Sequence, residues 1–156
     1  MTALDKERLL NLLSESHHAN LNSLEGVNLH LPVHPDSNWQ VRDIFWHLSV
    51  WDREVTKSIR AFSVKDEYSI PALDEHSFNE RAFQEGQEFS SEQVLERYKI
   101  AREDFINSID EIPMELFNSD LLYPWGDERG DITKLVKYMV EHDVEHRQEV
   151  ILAAGK

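Results

Sequence analysis

The chain has 156 residues and no cysteine, which removes disulfides, thiolate metal sites and cysteine nucleophiles together. Its 30 acidic residues against 16 basic ones give a formal net charge of −14, the wrong sign for charge-driven binding of nucleic acid or an anionic membrane. A single domain over residues 1–156 is expected at this length, with 40% apolar residues to fill its core. No apolar run approaches the ~20 residues of a membrane span. The start, Met-Thr-Ala-Leu-Asp-Lys-Glu-Arg, lacks the apolar centre of a signal peptide, so a cytoplasmic location is expected.

Helical periodicity dominates, and no run of alternating residues reads as a strand. The first helix is predicted from about Leu4 to Leu24, with Leu9, Leu10, Leu13, Leu21 and Leu24 on its apolar face and Thr2 or Ala3 near its start. A polar connection from Gly26 to Asn38 carries Pro32 and Pro35. The second helix follows a capping-box spacing, Ser37 to Gln40. Its stripe is Val41, Ile44, Leu48, Trp51, Val55, Ile59 and Phe62, and it ends in the mid-sixties before Pro71.

Residues from about Asp74 to Glu88 are weakly helical, with Phe78 and Phe83 as apolar points. Ser90 and Gln93 repeat the capping-box spacing, and Val94, Leu95, Tyr98, Ala101, Phe105 and Ile109 define the third main helix, which stops before Pro113. A loop with Pro124, Trp125, Gly126 and Gly130 leads to the last helix. Asp131 is its predicted N-cap and Gly155 its stop. The fold expected is all-α, an up-and-down-like four-helix bundle with a crossover connection between the second and third main helices.

The last helix carries the informative anomaly. With Ile132 at 0°, Leu135, Val136 and Met139 fall at about 300°, 40° and 340°. His146 at about 320° and Asp143 at about 20° lie inside that apolar arc, and His142 at about 280° lies on its edge. Buried polar groups cost free energy unless they find partners. A metal ion is a sufficient partner, because imidazoles at i and i+4 share a helix face and can converge on one cation. His47, beside the stripe of the second helix, is placed to supply a third imidazole from a facing helix. Three neutral imidazoles leave an open coordination position.

Each feature also has a plainer reading. The His pair alone fits a hydrogen-bonded core pair, and His47 alone fits a structural half-buried histidine. Asp143 either orients an imidazole or pairs with Arg147 one turn on. Glu145 and Asp52 are the other carboxylates near in sequence, and Glu145 is a candidate base beside Asp143. His17 and His18 read as surface residues, and His30, His34 and His76 fall in polar connections. Residues 142–146 match the H-x-x-E-H pattern of inverzincin peptidases, but only ten residues follow in which to place the carboxylate ligand such enzymes need. Trp51 reads as core. Trp46 points about 160° away from the stripe and reads as exposed, which suggests a homodimer contact.

Two segments carry a family resemblance. Asn38-Trp39-Gln40-Val41-Arg42-Asp43-Ile44-Phe45-Trp46-His47-Leu48-Ser49-Val50-Trp51-Asp52 resembles the second helix of the DinB-like four-helix bundle superfamily, in which a Trp opens the helix and His-Leu follows eight residues later. Glu141-His142-Asp143-Val144-Glu145-His146-Arg147-Gln148-Glu149-Val150 resembles its final helix, with a His-x-x-x-His pair. Asp74 to Gln93, with Asn79, resembles its middle segment. The resemblance implies a divalent metal, zinc or nickel, held by His47, His142 and His146. It also implies either low-molecular-weight thiol chemistry or hydrolysis of a reactive toxin. The function expected is a metal-dependent enzyme of transferase or hydrolase type acting on a small-molecule substrate. The alternative is a non-enzymatic stress-response or small-molecule-binding protein with a structural metal or none.

Overall fold

A computed structural model describes residues 3–34 and 37–156. Thr2 and Pro35, named above at a helix start and in a connection, lie outside the described residues. The helices are α1 (Ala3–Asn22), α2 (Val41–Ser63), α3 (Glu75–Gly86), α4 (Ser91–Asp110) and α5 (Ile132–Ala153). A two-stranded antiparallel hairpin, β1 (Leu121–Leu122) with β2 (Arg129–Gly130), precedes α5. Two residues per strand are too few to show alternation in the sequence. Among the described residues, no helix is long and apolar enough to cross a membrane.

The all-α bundle with its crossover is as expected. The crossover carries α3, and two of the predicted caps form: Ser90 Oγ accepts from Gln93 N, and Asp131 Oδ1 accepts from Lys134 N. The start of α2 differs. Its N-cap is Gln40, whose backbone N–H donates to Asp43 Oδ2 at 2.8 Å, while Ser37 Oγ accepts from Trp39 N outside the helix. The reason lies in the preceding connection. It folds back so that Leu31 O and Leu29 O accept from Val41 N and Arg42 N, satisfying two of the free donors of the first turn.

The main helices close a ring in the order α1, α4, α2, α5, while α3 packs on α2 from outside. In an up-and-down bundle consecutive helices would be neighbours. Here the long connections before α2 and α5 let the chain cross instead.

The placement of α3 corrects the reading of Trp46. The indole is 3% exposed, not a surface residue, and its Nε1 donates to Ala82 O at 2.7 Å on α3. A helix packed on both sides buries both sides, so the position opposite the stripe is interior. The homodimer expectation thereby loses its sequence argument. Gly86 lets the two helices approach, since a Cβ there would stand 2.5 Å from Trp46 Cδ1. Gly86→Ala is expected to destabilise by about 1–3 kcal/mol, as overpacking does. Urea denaturation checks this.

The core divides into two apolar clusters with a polar layer between them. Along α2 the order is Leu48, Asp52, Val55; along α4, Tyr98, Arg102, Phe105; along α5, Val150, Asp143, Met139. Asp52, Arg102 and Asp143 are each 0% exposed. Ser16 and Asn20 complete the layer from α1.

Candidate metal centre

The three imidazoles singled out in the sequence come together. His47 arrives from α2, one turn before Trp51. His142 and His146 arrive from α5, where i,i+4 spacing sets them on one face. His142 Nε2 lies 3.0 Å from His47 Nε2 and 3.1 Å from His146 Nε2. All three donor atoms lie within 4.8 Å of one another. Among the described residues, no other trio of His, Asp or Glu gathers in this way.

These separations fit one ion. Two bonds of ~2.1 Å at angles of roughly 90–110° put donor atoms ~3.0–3.4 Å apart. The donor set fits as well. Nε2 of His142 faces two other ring nitrogens, and one N–H cannot serve both contacts, whereas three lone pairs aimed at one point suit a cation. Burial, then the neighbouring His142 and His146, lowers the His47 pKa to about 2. Burial, then His146, lowers that of His142 to about 4. Both rings are therefore neutral at pH 7, with lone pairs free.

Glu149 joins the site unannounced by the sequence reading. Its Oε1 lies 3.0 Å from His146 Nδ1, and its Oε2 lies 2.5 Å from His34 Nε2. Both approaches are at hydrogen-bond distance but off the direction a ring N–H bond requires, so the contacts are chiefly electrostatic. A carboxylate at Nδ1 favours the tautomer with its proton there and the lone pair on Nε2. The signal was available, since Glu149 follows His146 by one helical turn.

The polar layer corrects the reading of Asp143. Its partner is Arg102, not Arg147: Arg102 Nη1 and Nη2 donate to Asp143 at 2.7 and 2.8 Å, and Ser16 Oγ donates at 2.7 Å. Arg147 turns to Asn20 Oδ1 at 2.8 Å. Arg102 Nε and Nη2 also reach Asp52, at 2.8 and 3.2 Å. Burial raises the Asp52 pKa to about 6 despite Arg102. Burial raises that of Asp143 too, but the hydrogen bonds and charge of Arg102 and the bond from Ser16 outweigh it, leaving it below the usual carboxylate value. Neither Asp52 nor Asp143 lines the cavity described next, whereas Glu145, the other candidate base, does.

The imidazoles stand in the wall of a 630 Å³ cavity, a size suited to a small molecule. Trp39, Trp51, Trp125 and Tyr138 give it aromatic surface. Trp39 stacks on Phe83 at 5.5 Å and meets His47 edge-on at 5.5 Å. Trp51 Nε1 donates to Asn79 Oδ1 at 2.9 Å, which ties the wall to α3. Glu128 holds the hairpin side, accepting from Trp125 Nε1 at 3.0 Å and Tyr138 Oη at 2.7 Å.

His34 and His76, set aside in the sequence, also line the cavity: His34 from the connection before α2, and His76 not from a connection but from the first turn of α3. His17 is half-buried, not a surface residue, and its Nδ1 lies 3.0 Å from Tyr98 Oη.

No curated protein and no solved structure matches the chain. The family model of the DinB superfamily matches residues 21–150, from the end of α1 to the last turns of α5, and so covers all three imidazoles and the wall above them. The order of His47 on α2 and the His142–His146 pair on α5, joined in one cluster across a helical bundle, agrees with that match: the chain belongs to the DinB superfamily.

Proposed function

We propose that this protein is a metal-dependent enzyme that acts on a small molecule by transfer or hydrolysis. The observation that supports it best is the convergence of three imidazoles on the wall of a cavity of small-molecule size. Three protein ligands leave a coordination position for water or substrate, whereas structural sites are closed by a fourth. When bound, a divalent ion, zinc or nickel, supplies Lewis acidity and lowers the pKa of a coordinated water or thiol.

The chain's own residues do the rest. His47, His142 and His146 hold the ion, with Glu149 orienting the ring of His146. Glu145, exposed on α5 between the two imidazoles and lining the cavity, is the group placed to take up a proton from the reacting molecule. Trp39, Trp51 and Trp125 exclude water from the apolar side.

The test is elemental analysis of protein purified without a metal-binding tag, followed by calorimetric titration of the stripped protein with Zn²⁺ and Ni²⁺. One ion per chain, lost in His47→Ala, is the expected result. Full-length protein that binds neither ion would favour the non-enzymatic binding protein instead.

A further inference from the structure

Resting on the reading just proposed, we infer that the cavity above His47, His142 and His146 selects a small molecule that carries a positive charge, an amine with an apolar body, over an acid of the same size.

The argument starts from what the walls lack. Among the described residues no Lys or Arg lines the cavity, so no permanently charged side chain there would pair with a carboxylate, sulfate or phosphate, and only the ion and the His34 and His76 rings are left to hold one. Four carboxylates do line it: Glu75 and Glu80 from α3, Glu145 and Glu149 from α5. Glu149 is engaged by His34 and His146. Among the described residues, Glu80 accepts only from the Gln84 amide, at 3.3 Å. Glu75 and Glu145 have no hydrogen bond or ion pair among the described residues. Even a divalent ion would balance only two of the four charges.

The aromatic walls are an independent sign. Trp39, Trp51, Trp125 and Tyr138 face the same space, and aromatic rings beside carboxylates are the chemistry that recognises an ammonium group. The rim carboxylates do not form a second metal cage, since among the described residues the only trio within a metal's reach is the three histidines. An organic cation therefore suits them better than an inorganic one. Glu75, Glu80 and Glu145 are exposed, whereas His47 is buried, so the charge would sit at the mouth of the cavity while the reacting group reaches the ion.

The test loads the full-length protein with Co²⁺ and titrates cysteamine, 2-mercaptoethanol and 3-mercaptopropionate. These share a two-carbon arm and differ in the charge at its end. Each binds through sulfur, its thiol proton passing to solvent, and the thiolate-to-cobalt absorption band reads the affinity. The quantity compared is the affinity of cysteamine over that of 3-mercaptopropionate, in the natural protein and in Glu75→Gln/Glu80→Gln/Glu145→Gln. Free-thiol acidity is the same for both proteins and cancels. All three positions are exposed, so the variant is expected to fold.

The ratio is expected to fall at least about tenfold in the variant. An unchanged ratio in a variant that circular dichroism shows to be folded overturns the inference and leaves the carboxylates as a solvated rim only. If Co²⁺ fails to bind, the metal reading falls separately. The inference is then read on metal-free protein from tryptophan fluorescence, with phenethylamine and 3-phenylpropionate as probes. Tighter binding of the amine supports it, and equal affinity overturns it.

Discussion

Arg102→Met is expected to destabilise the protein more than any substitution at the imidazole cluster. The guanidinium is 0% exposed and makes four hydrogen bonds to two buried carboxylates, Asp52 on α2 and Asp143 on α5. Its removal leaves both without a counter-charge, and breaking a buried ion pair from one side costs about 3–5 kcal/mol. At roughly 2–4 °C per kcal/mol for a chain of this size, Tm should fall by about 6–20 °C. Asp52→Asn is the informative contrast, because it leaves Arg102 and Asp143 as a balanced pair and removes the carboxylate that burial already disfavours as an ion. Its expected cost at pH 7 is under about 1.5 kcal/mol. Thermal and urea unfolding of the two variants side by side check both. Equal losses would mean that the polar layer is held by packing and not by charge balance.

The second large effect is on metal affinity. His142→Ala removes the imidazole whose Nε2 lies within 3.1 Å of both others. Loss of groups that merely orient a ligand costs 10–100-fold in affinity. Loss of this central ligand should therefore exceed about 100-fold. His17→Ala should leave affinity unchanged, since that ring bonds Tyr98. Zn²⁺ titration of the stripped variants measures both.

The same rings set a pH dependence. His47 and His142 have pKa values lowered to about 2 and about 4 in the folded protein, against an unfolded value near 6.5. Between pH 6.5 and 4 the unfolded chain thus binds protons that the folded one refuses, and the metal-free protein loses stability as pH falls. Asp52 acts oppositely. Its pKa is raised to about 6, so between pH 3.8 and 6 the folded state binds the extra proton and gains stability as pH falls. The metal-free Asp52→Asn variant should therefore lose stability more steeply from pH 6.5 to 4 than the natural protein, as measured by urea midpoints.

Much of this architecture was legible along the chain because it is recorded in local patterns. The stripes of α2, α4 and α5, the Ser90 and Asp131 caps and the approximate ends of every long helix follow from 3.6-residue periodicity and capping chemistry, which act within a turn or two. His47, His142 and His146 stood out for a similar reason. A polar residue inside an apolar arc needs a partner, and the wheel shows the arc without showing the partner. Arg102 gave the same signal, falling between Ile109 and Leu95 on the wheel of α4, and the sequence reading passed over it.

Everything that depends on which helix lies beside which was decided by the tertiary structure. Trp46 opposes the stripe of α2, and only the packing of α3 on that side makes its position interior. Asp143 lies one turn from Arg147, yet a guanidinium 41 residues away takes both its oxygens, because burial removes the water that would otherwise compete with a distant partner. His34, His76 and Glu75 sit in connections or on a short weak helix, and only the crossover and the loop before α2 bring them over the cavity. By itself, then, the sequence determined the helices, their buried faces and the three imidazoles, since these depend on spacing along one chain segment. The ring order, the buried ion-pair layer and the acidic, aromatic cavity arise from contacts between segments far apart in the chain, and no local spacing records those.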